Sequence, residues 1–122
     1  MRGVVNARRE AIVTLRVRGP SGSEFDIDTL IDSGYTGSLV LPSSIIAKLG
    51  LISQLGGKAR LADGSIHQFP IYRAELFWDG DWQLVVISAL GDEALLGMSL
   101  LAGHELRVEV VPGGVVEIIP LP

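Results

Sequence analysis

Clusters of glycine and proline divide this sequence into short apolar runs, and this feature restricts the fold most strongly. The 15 glycines and 6 prolines supply turn signals along the whole chain. Between them lie 12 valines and 11 isoleucines against 9 alanines, and β-branched residues favour strands where alanine favours helices. The pattern predicts a mainly β domain, a barrel or a sandwich of eight or nine short strands. We expect these strands at residues 11–18, 24–31, 38–41, 58–61, 66–69, 71–78, 82–87, 106–111 and 115–119.

Signals for helices are few. Pro42 and two serines precede an apolar run at residues 45–49, and Gly50 follows it, which predicts one short helix. The residues after Gly97 predict another helical turn or two. The Asp-Gly dipeptide at residues 63–64 lies between two short runs and predicts a tight β-hairpin turn. One or two short helices are therefore expected beside the strands.

Length and charge restrict the possible functions. The 122 residues correspond to a single domain over residues 1–122, in which we expect residues 1–10 to form a loose N-terminal arm. The net charge of −4 argues against a nucleic-acid partner, because binding to phosphates needs a basic face. The sequence contains no cysteine, which excludes disulfides, thiolate catalysis and zinc–thiolate sites.

No segment predicts a membrane span or a secretory signal. The longest nearly apolar stretch, residues 94–103, is too short to cross a bilayer. The first ten residues lack the apolar run of a signal peptide. We therefore expect a cytoplasmic protein without a membrane partner.

A polar loop at residues 32–37, flanked by glycine, separates two apolar runs. Asp32 begins this loop, and a carboxylate between two core strands loses its hydration unless hydrogen bonds or a function justify its position. Gly34 allows a sharp turn and the close approach of a backbone or a substrate. The Ser33 hydroxyl can fix the loop by hydrogen bonding. Asp32 is therefore the candidate catalytic residue.

A single carboxylate is not sufficient for peptide hydrolysis. It can activate a water molecule as a base, but an acid must also protonate the carbonyl oxygen. Two carboxylates that share one proton supply both roles, because neighbouring like charges drive their pKa values apart. The sequence contains Asp-Ser/Thr-Gly only once, so such a dyad requires two copies of the chain on a two-fold axis. This reasoning predicts a homodimer.

Two motifs together resemble a known family. Residues 31–34 (Ile-Asp-Ser-Gly) and 38–41 (Ser-Leu-Val-Leu) are similar to the active-site segment of retroviral-type, or retropepsin-like, aspartic proteases. Residues 95–97 (Leu-Leu-Gly) are similar to the second motif of that family, and the Asp-Gly hairpin lies between the two motifs, where the family has its flap. The resemblance covers roughly residues 11–119 and is closest to small single-domain bacterial and archaeal members. It implies a closed, barrel-like acid-protease fold.

The resemblance also implies a role for each matching residue. Asp32 matches the catalytic aspartate, which polarises the attacking water together with its copy in the partner chain. Ser33 matches the residue that holds the two catalytic loops together across the dimer, and Gly34 matches the glycine beneath the substrate. Leu96 and Gly97 match the segment that packs behind the catalytic loop. The flap tip, which closes over a bound peptide, corresponds to Ala62, Asp63, Gly64 and Ser65.

The resemblance also concerns the dimer contacts. In the family the terminal strands build the interface, which points to the N-terminal arm and to Ile118 and Ile119. Three other residues depart from the family pattern. Met98 replaces an arginine that braces the retroviral dimer, Ser99 replaces an aspartate that many relatives carry, and Tyr35 is bulkier than the usual alanine or serine.

The function implied is endopeptidase hydrolysis of an extended peptide or protein substrate by two Asp32 residues and an activated water, with no cofactor and no metal. Apolar residues around the loop predict a preference for apolar side chains beside the cut. Two alternatives stay open. The chain could be a dimeric module of the same fold that binds peptides but cuts slowly or never, or a monomeric structural β domain in which Asp32 only caps a turn.

Overall fold

The computed structural model describes residues 1–122, apart from the side chains of residues 55 and 56. The strands, numbered in chain order, are β1 (Arg2–Val5), β2 (Ala11–Arg18), β3 (Glu24–Ile31), β4 (Leu39–Val40), β5 (Gln54–Arg60), β6 (Ile66–Trp78), β7 (Asp81–Ser88), β8 (Leu95–Leu96), β9 (His104–Val108) and β10 (Val115–Pro120). The helices are α1 (Ser43–Leu49) and α2 (Met98–Leu101). Neither of these described helices has the length and apolar character needed to cross a bilayer.

The strands form one sheet that closes on itself. Its order is β5-β6-β7-β4-β8-β3-β2-β1-β10-β9, and an additional pairing between β2 and β6 joins distant parts of the sheet into a ring. Strand β3 runs parallel to β8, and β4 runs parallel to β7. The predicted mainly β, closed barrel-like fold with two short helices is confirmed.

Strand β2 illustrates why the short runs fold as strands. Its inward side chains, Val13, Leu15 and Val17, are fully buried, whereas Thr14 and Arg16 between them are exposed. This alternation with a period of two places one apolar face against the core. Strand β2 pairs with β3 as the predicted antiparallel hairpin, and this hairpin brings the loop after β3 to one end of the barrel.

The prediction of separate runs at residues 66–69 and 71–78 is wrong, because β6 is one strand of 13 residues that passes through Pro70. Its first part pairs with β5, and its pairing with β7 begins only at Ile71. At Pro70 the strand therefore has a neighbour on one side only. A proline without an N–H is tolerated where no ladder bond is required.

The prediction of a loose arm over residues 1–10 is also wrong for its first half. Residues Arg2–Val5 form β1, which pairs with both β10 and β2. Val5 is buried, and a side chain at Gly3 would collide with the backbone of Ile12. The glycine thus allows β1 to lie against β2. Its other partner, β10, is at the opposite end of the sequence, so no local pattern reveals the pairing.

His104, at the start of β9, connects that strand to the turn between β6 and β7. Its Nε2 lies 2.7 Å from the carboxylate of Asp79, and its ring contacts Trp78 edge to face. Burial lowers the pKa of His104, but hydrogen bonds to the Ala102 carbonyl and to Asp79 outweigh burial, so the pKa is raised above 6.5. The protonated imidazole is the favoured partner of Asp79.

The contact between His104 and Asp79 is expected to make the free energy of unfolding depend on pH. Asp79→Asn should remove this dependence. Because the folded state raises the pKa of His104, its contribution to the free energy of unfolding is complete below about pH 6.5 and is lost as the pH rises through the folded value. Urea unfolding of the wild type and of Asp79→Asn, at a series of pH values from about 5.5 to 8.5, measures this. Asp81→Asn, in the same turn, should keep the wild-type slope. An unchanged slope in Asp79→Asn would contradict the assignment.

Candidate active site

Asp32 lies directly after β3, at the point where that strand runs beside β8. Its backbone N–H donates to the carbonyl of Leu96 at 2.9 Å, which continues the parallel ladder by one residue. One carboxylate oxygen, Oδ1, accepts the N–H of Gly34 at 2.9 Å. Among the described residues, the other oxygen has no hydrogen-bond partner. The half-buried carboxylate is therefore fixed in orientation by one oxygen and available through the other.

The start of α2 is bonded to the loop after Asp32. Gly97 and the first residues of α2 turn their N–H groups toward the carbonyl oxygens of the Asp32 loop. Three backbone hydrogen bonds of 2.8 to 3.1 Å result: Gly97 to Ser38, Met98 to Tyr35, and Ser99 to Gly37. The Ser99 hydroxyl adds a bond of 2.5 Å to the carbonyl of Thr36. The loop that carries Asp32 is thus held along its length by the second motif.

Close packing explains the glycines of both segments. A Cβ atom at Gly97 would collide with the carbonyl oxygen of Gly37 and with the ring of Tyr35. A Cβ atom at Gly37 would collide with the hydroxyl end of Tyr35. Because neither glycine has a side chain, the ring of Tyr35 can pack directly against Gly37 and Gly97. The large side chain that replaces the usual alanine or serine at position 35 is accommodated in this way.

Two polar residues of the site are not apparent from the sequence. The Tyr35 hydroxyl donates to Oγ of Ser88 at 3.4 Å, and Ser88 is one of the few buried polar residues, at 7% exposure. The sequence patterns do not indicate a role for Ser88, and they distinguish Ser99 only as a departure from the family pattern. The available signal is the combination of a large residue at position 35 with glycines at 37 and 97, which indicates a closely packed, partly buried ring whose hydroxyl needs a partner.

The predicted flap tip is a tight turn between β5 and β6. Gly64 has a positive φ of 86°, and its N–H donates to the carbonyl of Leu61 at 2.9 Å. The Asp63 carboxylate accepts the hydroxyl of Ser65 at 2.5 Å and its N–H at 2.9 Å, and these bonds lower the pKa of Asp63. The predicted hairpin turn is therefore present, with Ala62 exposed beside it.

The structure brings most of the candidate residues together. Asp32, Ser33 and Gly34 form one exposed to half-buried loop, and the fully buried Leu96 lies behind it with Gly97. Within the part of the chain that the structure describes, no recorded hydrogen bond joins the 62–65 turn to this loop. Hydrogen bonds among the described residues therefore do not connect the predicted flap tip to the candidate catalytic loop.

A groove of about 430 Å³ lies at the same end of β3, and Asp32 does not line it. Its walls combine apolar surface with carboxylates, and both kinds of surface are available to a ligand. The principal lining residues are Ile12, Leu30, Ile45, Glu10, Asp28, Asp92 and Glu93. No set of three or more histidines, aspartates or glutamates among the described residues is arranged to hold a metal ion.

Comparisons with known proteins identify the fold. Neither the protein-family models nor the curated proteins contain a match to this chain. Among solved structures, a retropepsin-like aspartic protease from Rickettsia conorii is similar, with a TM-score of 0.62 and 15% sequence identity. The match covers 99% of this chain and 89% of the other. With its single closed sheet and the Asp32 loop directly after β3, this chain has the retropepsin-like aspartic protease fold.

Proposed function

We propose that this protein is an aspartic endopeptidase whose dyad consists of Asp32 from two copies of the chain. The observation that carries the proposal is the position of Asp32 in this fold. Its backbone continues the ladder between β3 and β8, and its Oδ1 is held by Gly34. A side chain with one oxygen held and the other available is suited to sharing a proton and a water molecule with a second carboxylate.

In the proposed reaction, one Asp32 is ionised and the other is protonated. The ionised carboxylate removes a proton from a water molecule, whose oxygen attacks the peptide carbonyl carbon, while the protonated carboxyl donates its proton to the carbonyl oxygen. The tetrahedral intermediate collapses when the C–N bond breaks: the carboxyl that took the proton from water gives it to the leaving nitrogen, and the other carboxylate takes a proton from a hydroxyl of the intermediate, which restores the starting dyad. No covalent bond forms between enzyme and substrate.

The substrate proposed is an extended peptide or an exposed segment of a protein. An extended backbone can bind by main-chain hydrogen bonds, as an added strand does. The groove at this end of β3, which Asp32 does not line, combines apolar and acidic surface, so the test includes substrates with apolar and with basic side chains.

Cleavage of a diverse peptide library tests this function. The library is incubated with the protein from about pH 4 to pH 8, the range over which coupled carboxylates change protonation, and the products are identified by mass spectrometry. The mass of the protein in the same samples reports its oligomeric state. Cleavage by a dimer is expected. A well-formed dimer that cuts nothing would favour the peptide-binding module, and a persistent monomer would contradict the dyad.

The 62–65 turn provides a prediction about substrate binding. Asp63→Ala removes the acceptor of two Ser65 hydrogen bonds, so a turn that closes over substrate would lose order. We expect KM to rise about fivefold, the equivalent of one lost hydrogen bond of about 1 kcal/mol.

A matched variant separates this effect from loss of any exposed turn. Asp81→Ala removes a carboxylate that accepts the N–H of Trp82 at 2.8 Å in the turn between β6 and β7. Steady-state kinetics on one library substrate should show an unchanged KM for Asp81→Ala. Equal KM values for both variants and the wild type would exclude a role of the 62–65 turn in binding.

A further inference from the structure

The hairpin that carries the 62–65 turn leaves the rest of the sheet at one row of residues. From Ile66 to Pro70, strand β6 pairs with β5 alone, whereas from Ile71 onward it pairs with β7. Ile71 lies between Gln54 of β5 and Ser88 of β7, and we call this row of three residues the hairpin base. A movement of the hairpin relative to the barrel therefore displaces the hairpin base first.

Ser88 of the hairpin base is also bonded to the Asp32 loop and to the strand that follows this loop. Its side-chain oxygen accepts the hydroxyl of Tyr35 at 3.4 Å. Its backbone carbonyl accepts the N–H of Leu41 at 3.1 Å, next to the rung that pairs Ser88 with Val40 of β4. The same residue thus belongs to the base of the hairpin and to the support of the candidate catalytic loop.

The hydroxyl of Ser88 is buried, and its partner is distant in sequence. Ser88 and Thr29 are the two buried polar residues among those that the structure describes. The Thr29 hydroxyl donates locally, to the carbonyl of Ile27 on its own strand, whereas Ser88 and Tyr35 are 53 positions apart. A buried hydroxyl that loses its partner costs free energy. The fold therefore gains from keeping the hairpin base and the Asp32 loop together.

Tyr35 transmits a displacement of its hydroxyl to the Asp32 backbone. The N–H of Tyr35 donates to the carbonyl of Asp32 at 3.2 Å, and its own carbonyl accepts the N–H of Met98 at 2.8 Å. Its ring packs against Gly37 and Gly97. Because the side chain is held on these sides, a shift of the hydroxyl moves the loop together with the ring.

We propose that the hydrogen bond between Tyr35 and Ser88 couples the order of the hairpin to the orientation of the Asp32 loop, and that both are positioning residues. The catalytic consequence of this inference rests on the proposed function. At 3.4 Å the bond is longer than the roughly 2.8 Å usual between hydroxyl groups. A small movement of the hairpin base toward the loop therefore strengthens it, and a movement away breaks it. Closure of the hairpin over a substrate and alignment of Asp32 then favour each other, since such coupling is reciprocal.

Two substitutions remove the hydrogen bond from opposite sides. Tyr35→Phe keeps the ring that packs against the glycines and loses only the hydroxyl, whereas Ser88→Ala removes the acceptor. We expect each variant to lower kcat/KM on one library substrate about fivefold, the equivalent of one hydrogen bond. The double variant should be no slower than either single variant, because the same bond is lost in all three.

Amide hydrogen exchange measures the coupling without catalysis. Among the described residues, Tyr35 has no recorded hydrogen bond to residues 66–69 of the hairpin. In both single variants these amides should nevertheless exchange about fivefold faster than in the wild type, because the hairpin base opens more often. The amides of β2 should keep their wild-type rates.

Tyr72→Phe is the matched control. It removes a tyrosine hydroxyl next to Ile71 on β6, and no side-chain hydrogen bond of Tyr72 is recorded in the part of the chain that the structure describes. Its exchange rates and its kcat/KM should equal those of the wild type. Thermal melting of all the variants confirms that they are folded under the conditions of the assay.

A second cycle tests whether the effect passes along the hairpin to its tip. Asp63 and Tyr35 share no recorded hydrogen-bond partner among the described residues, and substitutions at separate sites ordinarily multiply their effects. A hairpin already loosened at its base by Tyr35→Phe should lose less from Asp63→Ala. We expect the double variant to lower kcat/KM about tenfold or less, rather than the roughly twenty-fivefold that independent sites would give. The proposal is overturned if the effects multiply, or if the exchange of residues 66–69 is unchanged in both single variants.

The exchange measurement also distinguishes this inference from the proposed function. If the hairpin amides respond to Tyr35→Phe and Ser88→Ala as expected while the wild type cuts no peptide, the coupling is supported and the endopeptidase is contradicted. If the wild type cuts peptides and both variants cut them equally well with unchanged exchange, the endopeptidase is supported and the coupling is contradicted.

Discussion

Replacing Asp32 with asparagine is expected to lower kcat by at least about a thousandfold, the largest effect of any single substitution in this chain. Each of general base and general acid catalysis contributes 10² to 10⁴ in rate. In the proposed homodimer the one substitution removes both functions, because each copy loses its titratable carboxyl. Progress curves on a peptide selected from the library measure the loss.

The asparagine variant separates chemistry from architecture. Its side-chain oxygen can still accept the N–H of Gly34, as the Asp32 carboxylate does at 2.9 Å, so the loop should keep its form. The dimer and the affinity for uncleaved peptide should therefore stay close to the wild type. Asp26→Asn, an exposed substitution on the same strand, should leave kcat within about twofold, as surface changes away from the site usually do. If Asp32→Asn still cleaves, another group performs the hydrolysis.

Local sequence signals are sufficient for the elements that fold from neighbouring residues. Pro42 and Gly50 predict α1, and in the structure Pro42 precedes its first turn while Gly50 closes it with a φ of 67°. The Asp-Gly dipeptide predicts the turn at residues 63–64 for the same reason, because glycine takes the positive φ that this turn requires. The Asp32 loop is recognisable because a polar segment between two strand runs cannot belong to the core.

Long-range pairings are the part that the sequence does not predict. Strand β1 depends on β10, and no local pattern relates residues 2–5 to residues 115–120. The buried Ser88 accepts a hydrogen bond from Tyr35, which lies in a loop distant from it in sequence. The position of β9 at the end of the sheet is likewise a property of the strand order, since the residues His-Glu-Leu-Arg-Val do not indicate which side of the strand is paired.

The second large effect is expected for Gly97→Ala. The φ of Gly97 is −100°, which any residue can adopt, so the only obstacle to alanine is space. The added methyl group would collide with the Gly37 carbonyl and the Tyr35 ring, and the backbone on both sides is held by hydrogen bonds. Overpacking of this kind costs about 3 kcal/mol of unfolding free energy, which urea denaturation can measure.

Gly91→Ala provides the matched control for this prediction, because nothing lies within 4 Å of a Cβ atom at that position. Its free energy of unfolding should stay within about 0.5 kcal/mol of the wild type. Gly97→Ala should in addition lower kcat even where the protein is fully folded, since displacement of residues 96–97 moves the carbonyl that accepts the Asp32 N–H. If the two variants had equal free energies of unfolding, the Asp32 loop could move away from the start of α2 without loss of stability. The two segments would then not form the rigid support that orients the Asp32 carboxylate.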